Sequence, residues 1–202
     1  MASQKAKVFQ EIPLECRRYW RLLKRYFGWL LEEYNFTLLY VKNGRMSSCG
    51  FVLQADDCRV HISIDRGTFG GIRIAMVPSS RISEVSIRGL RWYYVGEIVD
   101  YLRGWYPKWS QIEEASRQDS KLSLNEAMKK EAREIRPFWP QIMDLFREDM
   151  FEQRKASLEE FLEREMQDLH KQSMKAARRR EAEWLPKWKE KRLYNDKTNY
   201  ED

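Results

Sequence analysis

Apolar residues at three- and four-residue spacing mark the first element: Cys16, Tyr19, Trp20, Leu23, Phe27, Leu30, Leu31 and Tyr34 share one side of a helix over residues 13–34, with Pro13 suited to its first turn. The other side carries Arg17, Arg18, Arg21, Lys24 and Arg25. The period then shortens. Residues 37–42, 48–54, 58–65 and 71–77 read as strands, separated by turn chemistry at Asn43-Gly44, at Asp56-Asp57 and between Arg66 and Gly70. In the third strand Cys58, Val60, Ile62 and Ile64 alternate with Arg59, His61, Ser63 and Asp65, which predicts one buried and one polar face. A fifth strand is expected at 83–87 and a second helix at 94–102. This order predicts an α+β fold: an antiparallel sheet of four to five strands with helices on one face, followed by an all-helical arm.

The arm has its own pattern. Ser123 with Glu126 three places on is a capping box, which predicts a helix over 123–135 that Pro137 and Pro140 then interrupt. From Gln141 a long charged helix is expected to about Trp184. Its stripe through Ile142, Leu145, Phe146, Met150, Leu158, Leu162, Met166, Leu169 and Ala176 is too narrow for burial on all sides, and it lacks sustained heptads. Glycine supports the same division, because all nine glycines lie at or before Gly104 and the remaining 98 residues have none. The expected organisation is an α+β domain over 1–105, a helical region over 111–193, and a polar tail over 194–202.

Charge sharpens the picture. The chain of 202 residues carries a net +6, but residues 1–110 hold 17 basic and 10 acidic groups while residues 111–202 hold 20 and 21. Within the arm, 141–169 holds four basic and nine acidic groups, and 170–193 holds nine and three. The first helix places cations early and Glu32 and Glu33 late, opposing its macrodipole. Helix stability does not explain that order; a bound anion, or carboxylates elsewhere in the fold or on a partner, would.

Several chemistries are not expected. Cys16, Cys49 and Cys58 form no Cys-x-x-Cys and are read as free thiols, with Cys49 and Cys58 at distant ends of one hairpin. The two histidines, His61 and His170, lie in different regions, so neither a metal site nor a cofactor is expected. Gly67 to Gly71 lacks a Gly-Lys-Ser/Thr ending and precedes a strand, which makes it a hairpin turn. Pairing Ile62 with Ile74 would bring Ser63 opposite Arg73, with His61 and Asp65 on the same face. Yet roughly 13 Å of extended strand separates His61 from Asp65, and Ser63 lacks the elbow of a nucleophile. No apolar run approaches the ~18 residues of a membrane span, and the first ten residues have no signal-type stretch. A cytoplasmic location is therefore expected.

Binding remains. The first expectation is a non-enzymatic intracellular protein–protein interaction module, or a subunit of a larger assembly, anchored by Trp184, Trp188, Arg178, Arg179 and Arg180 near the end of the arm. The alternative is nucleic-acid binding through Arg17, Arg18, Arg21, Lys24 and Arg25 together with the sheet residues Arg59 and Arg73. Arg45, Arg66, Arg81, Arg88 and Arg91 lie on or near the same sheet.

Overall fold

The computed structural model describes residues 12–44, 48–78 and 89–198, apart from the side chains of residues 109 and 183–198. Helix α1 (Leu14–Glu32) buries Cys16, Tyr19, Leu23, Phe27 and Leu30, the side that its periodicity predicts. Strands β1 (Thr37–Asn43), β2 (Cys49–Gln54), β3 (Cys58–Asp65), β4 (Thr68–Met76) and β5 (Tyr93–Tyr94) form one antiparallel sheet in sequential order. α2 (Val95–Arg103) ends on the left-handed Gly104, and α3 (Trp109–Asp119), α4 (Leu124–Ile135), α5 (Trp139–Leu145) and α6 (Glu148–Thr198) follow. The fold is α+β, with an antiparallel sheet and a helical C-terminal region. The strand expected at 83–87 lies outside the described residues, and the fifth strand described is the two-residue β5.

Two local signals operate as read. Ser123 Oγ accepts from the Glu126 backbone N–H at 3.3 Å while the Glu126 carboxylate accepts from the Ser123 N–H at 2.9 Å, which fixes the start of α4. The Pro137 region forms a short 3-10 turn, Arg136–Phe138, ahead of α5. The long helix begins later than expected, because the backbone leaves helical geometry at Phe146. The break has a packing reason: Phe146 and Phe151, on either side of it, both turn inward onto Tyr93, at 5.7 and 6.2 Å between ring centroids. α3 falls largely within the region expected to be helical, 111–193, but is not expected as a separate helix. Ile112 is its one half-buried aliphatic residue, so it has no apolar period to read, and its start is fixed by the Lys108 N–H donating to Gln111 Oε1 at 2.8 Å.

The sheet register differs from the expected one. Ile62 pairs with Ile72, not Ile74, and His61 faces Arg73. The cause is the turn. Asp65 pairs with Thr68, leaving only Arg66 and Gly67 in the loop, both with positive φ (50° and 82°), the geometry that two-residue hairpins require. The strand therefore starts at Thr68, and the slack is taken up by an irregularity opposite Ser63, where Gly70 comes close enough that a Cβ there would lie 2.6 Å from Ser63 Oγ.

Helices cover the sheet face that bears Phe51, Leu53, Val60, Ile62, Ile72 and Ile74. The opposite face is not the open polar surface expected: Val52, Arg59 and Ala75 on it are buried. One buried cluster runs from α1 and the sheet through Met128, Ile135, Trp139, Ile142 and Leu158, and so crosses the glycine boundary at 104. Trp139 is fully buried and lies edge-on to Trp29 at 5.2 Å, with Tyr34 and Phe36 beside it.

The cysteines also need correction. Cys16 and Cys49 are bonded to each other, with Cα atoms 5.9 Å apart, and only Cys58 is a free thiol. Spacing within the hairpin argued only about Cys49 and Cys58, which indeed do not meet. It could not see that α1 lies across the sheet and brings its first turn to the start of β2. Burial raises the thiol pKa of Cys58, whose sulfur lies 4.0 Å from Met143 Sδ.

Candidate functional site

Arg17, Arg18, Arg21, Lys24 and Arg25 fall on the solvent side of α1 because the apolar side is committed to the sheet; all five are exposed. They span nine residues, about 12 Å of helix. Among the described residues none of them pairs with a carboxylate. Arg17 Nε donates to the Ile12 carbonyl at 3.2 Å, the Arg18 guanidinium donates to the Tyr19 hydroxyl and lies 4.4 Å from that ring's centroid, and Arg25 lies 5.6 Å from the Tyr26 ring. The acidic end of the helix is treated differently, since Glu33 pairs with Arg136 at 2.6 Å. Beside the cations lies a shallow depression of about 500 Å3, lined by Arg18, Tyr19, Arg21, Leu22, Gly67 and Leu124. It gathers α1, the β3–β4 turn and the first residue of α4 at one place.

The sheet arginines do not join this surface. Arg59 is 1% exposed and donates to Gln54 Oε1 at 2.8 Å. Arg73 is half-buried, with its guanidinium 4.3 Å from the Tyr94 ring centroid and bonded to the Tyr94 hydroxyl, and its buried Nε has no hydrogen-bond partner among the described residues. Arg91 pairs with Glu159 at 2.6 Å, and Arg66 lies 3.5 Å from its neighbour Asp65. Arg45, Arg81 and Arg88 lie outside the described residues.

The polar residues of β3 are not assembled for proton transfer. His61 stands edge-on to Trp92 at 5.9 Å, and its imidazole fills the space above Gly50, where a Cβ would lie 2.7 Å from Nε2. Burial, with Arg73 and Lys42 nearby, lowers its pKa, so it is neutral at physiological pH. Asp65 instead accepts from the Ser48 hydroxyl, and Ser63 lies opposite Gly50. His61 lines neither the depression at α1 nor a smaller one of about 240 Å3 at Tyr106, Arg164, Gln167 and Asp168.

The arm residues divide. Arg178 and Arg179 are exposed, whereas Arg180 reaches across to Glu113 of α3 at 2.7 Å. The side chains of Trp184 and Trp188 lie outside those described.

Sequence reasoning missed one buried carboxylate and several half-buried ones. Glu165 of α6 is 7% exposed, and burial together with Asp100 and Glu97 of α2 pushes its pKa up to about 7. Asp100 is raised to about 6, chiefly by burial and further by Glu97 and Glu134, with Arg103 opposing. On α4, burial and Glu134 raise Glu131 to about 7. A signal was present: Glu165 occupies a helical position on the apolar stripe between Leu162 and Leu169.

No protein-family model, curated protein or solved structure matches this chain.

Proposed function

We propose that this chain is a non-enzymatic binding protein that takes the phosphate backbone of nucleic acid on the exposed side of α1. The reading rests on one observation: five cations within nine residues, all exposed and none neutralised by a carboxylate among the described residues. Their mutual repulsion and their opposition to the helix dipole both work against the isolated helix. A polyanion relieves both at once, and guanidinium groups suit phosphate oxygens by paired contacts. The Leu22 and Leu124 walls of the adjoining depression offer an apolar surface to a base whose phosphate lies on Arg18 or Arg21.

Fluorescence anisotropy with labelled single- and double-stranded oligonucleotides over a salt series tests the reading. Affinity is expected to fall linearly with salt on logarithmic axes. The triple variant Arg17→Glu, Arg21→Glu, Arg25→Glu is expected to lose roughly a hundredfold or more. Absence of binding by the unaltered chain at low salt would end the proposal.

A second reading makes the arm a protein-binding surface. It is favoured by Arg178 and Arg179, which are exposed with no partner among the described residues and are followed in sequence by Trp184 and Trp188. A pull-down that loses its partner on Trp184→Ala plus Trp188→Ala supports it, and unchanged capture removes it.

A cytoplasmic location is part of the proposal, and the described helices agree with it only in that none is long and apolar enough to cross a membrane. A reducing cytoplasm would hold Cys16 and Cys49 as thiols. Thiol trapping in intact cells decides the matter: an oxidised pair places the chain in another compartment.

A further inference from the structure

Over its described side chains, α6 meets the rest of the fold along one side. Phe151, Leu158, Phe161 and Glu165 are buried on it and Leu169 and Ala176 are half-buried, at the spacing of a single helical stripe. The opposite side, through Glu163, Met166, His170, Met174 and Ala177, is exposed. Met166 and Met174 are 64% and 45% exposed, two of the few large apolar side chains left in solvent among the described residues, and they lie symmetrically about His170 at helical i, i+4, i+8 spacing. The charge of the helix changes sign at the same point: eight acidic and three basic groups in 148–169 give way to nine basic and three acidic in 170–193.

We propose that two copies of this chain pair through the exposed side of α6, antiparallel, with the two-fold axis at His170. This names the occupant for the second reading above. Met166 of each copy then packs against Met174 of the other, and the acidic half of each helix lies along the basic half of its mate. Residues 148–192 of both copies run side by side for about 65 Å. Parallel pairing is disfavoured, because it sets acidic against acidic and basic against basic. The antiparallel arrangement closes on itself, as a self-complementary patch must.

Sedimentation velocity of the full chain over a concentration series is expected to show a monomer–dimer equilibrium that added salt shifts toward monomer. Glu160→Lys with Glu163→Lys, and separately Lys175→Glu with Arg178→Glu, alter only exposed residues. Each pair is expected to weaken self-association by about tenfold or more, and an equal mixture of the two to restore the dimer. Orientation is read by mild oxidation: a mixture of the Met166→Cys and Met174→Cys variants is expected to couple, and Met166→Cys by itself is not. A monomer at every concentration, or Met166→Cys coupling to itself in preference to Met174→Cys, overturns the proposal. Capture of a different protein through Trp184 and Trp188 by a monomeric chain would leave the second reading standing and remove this one.

Discussion

α1 and α6 both lay an apolar side on the same core, yet their charged sides are treated in opposite ways. On α6 and its approach, most cations are paired: Arg154 with Asp144, Lys155 with Glu152, Arg164 with Glu160, Lys171 with Asp168 and Arg180 with Glu113 of α3 all lie within ion-pair distance, while Arg178 and Arg179 have no partner among the described residues. On α1, five cations stand without a carboxylate among the described residues. The helical half has more basic groups than the sheet-bearing half but almost no net charge. The comparison teaches that partnering, rather than the number of cations, marks a surface with unmet electrostatic demand.

The largest expected effect breaks the comparison directly. Reversing Arg17, Arg21 and Arg25 to Glu is expected to reduce nucleic-acid affinity by roughly two orders of magnitude, whereas Arg178→Glu with Arg179→Glu leaves it within about threefold, both by anisotropy at one fixed salt concentration. Equal losses would erase the distinction between the two helices. The second effect concerns attachment, since the Cys16–Cys49 disulfide ties α1 to β2. Cys16→Ala with Cys49→Ala opens a loop of 33 residues and is expected to lower unfolding free energy by about 3 to 4 kcal/mol under oxidising conditions, read by urea denaturation.

The third prediction sharpens the contrast through pH. Glu165 has a folded pKa near 7 against about 4.3 in the unfolded chain, so the fold bears the cost of its ionised carboxylate above pH 7 and sheds it as pH falls toward 4.5. Stability should therefore rise between about pH 8 and pH 5, with Asp100 contributing in the same direction. Glu165→Gln is expected to gain on the order of 1 to 3 kcal/mol at pH 8, about a third of that near pH 5 and almost nothing near pH 4, by denaturation at each pH. A pH-independent gain would mean that packing, not charge, is responsible. The smallest effect tests the charge pairing of α6 with α3. Arg180→Ala removes an exposed pair with Glu113 and should change global stability by less than about 0.5 kcal/mol.

Much of the fold was legible from period and turn chemistry, because those are properties of neighbouring residues. The buried side of α1, the four main strands, the α2 segment and the capping box at Ser123 all depend on contacts within a few positions. What was misread depended on something distant. The Ile62–Ile72 register follows from a turn shortened to Arg66 and Gly67, and sequence spacing admitted the longer loop equally well. Arg59 alternates with apolar residues as a solvent-facing position should, yet it is buried, because alternation states which face a residue is on and not what covers that face. The Cys16–Cys49 bond joins a helix to a strand 33 residues away, beyond any argument from one hairpin. At the candidate site the five cations were visible in the sequence, and their lack of carboxylate partners was not.

The sequence by itself determined the α+β order, the glycine-bearing and glycine-free halves, and the basic side of α1, because each arises from backbone preference or from charges adjacent in the chain. Only the tertiary structure decided which cations are neutralised. Arg91, Arg136 and Arg180 meet carboxylates 68, 103 and 67 positions away, while the cations of α1 meet none among the described residues. An ion pair is set by distance in space, and the linear pattern of charge carries that distance only where both partners lie on one element.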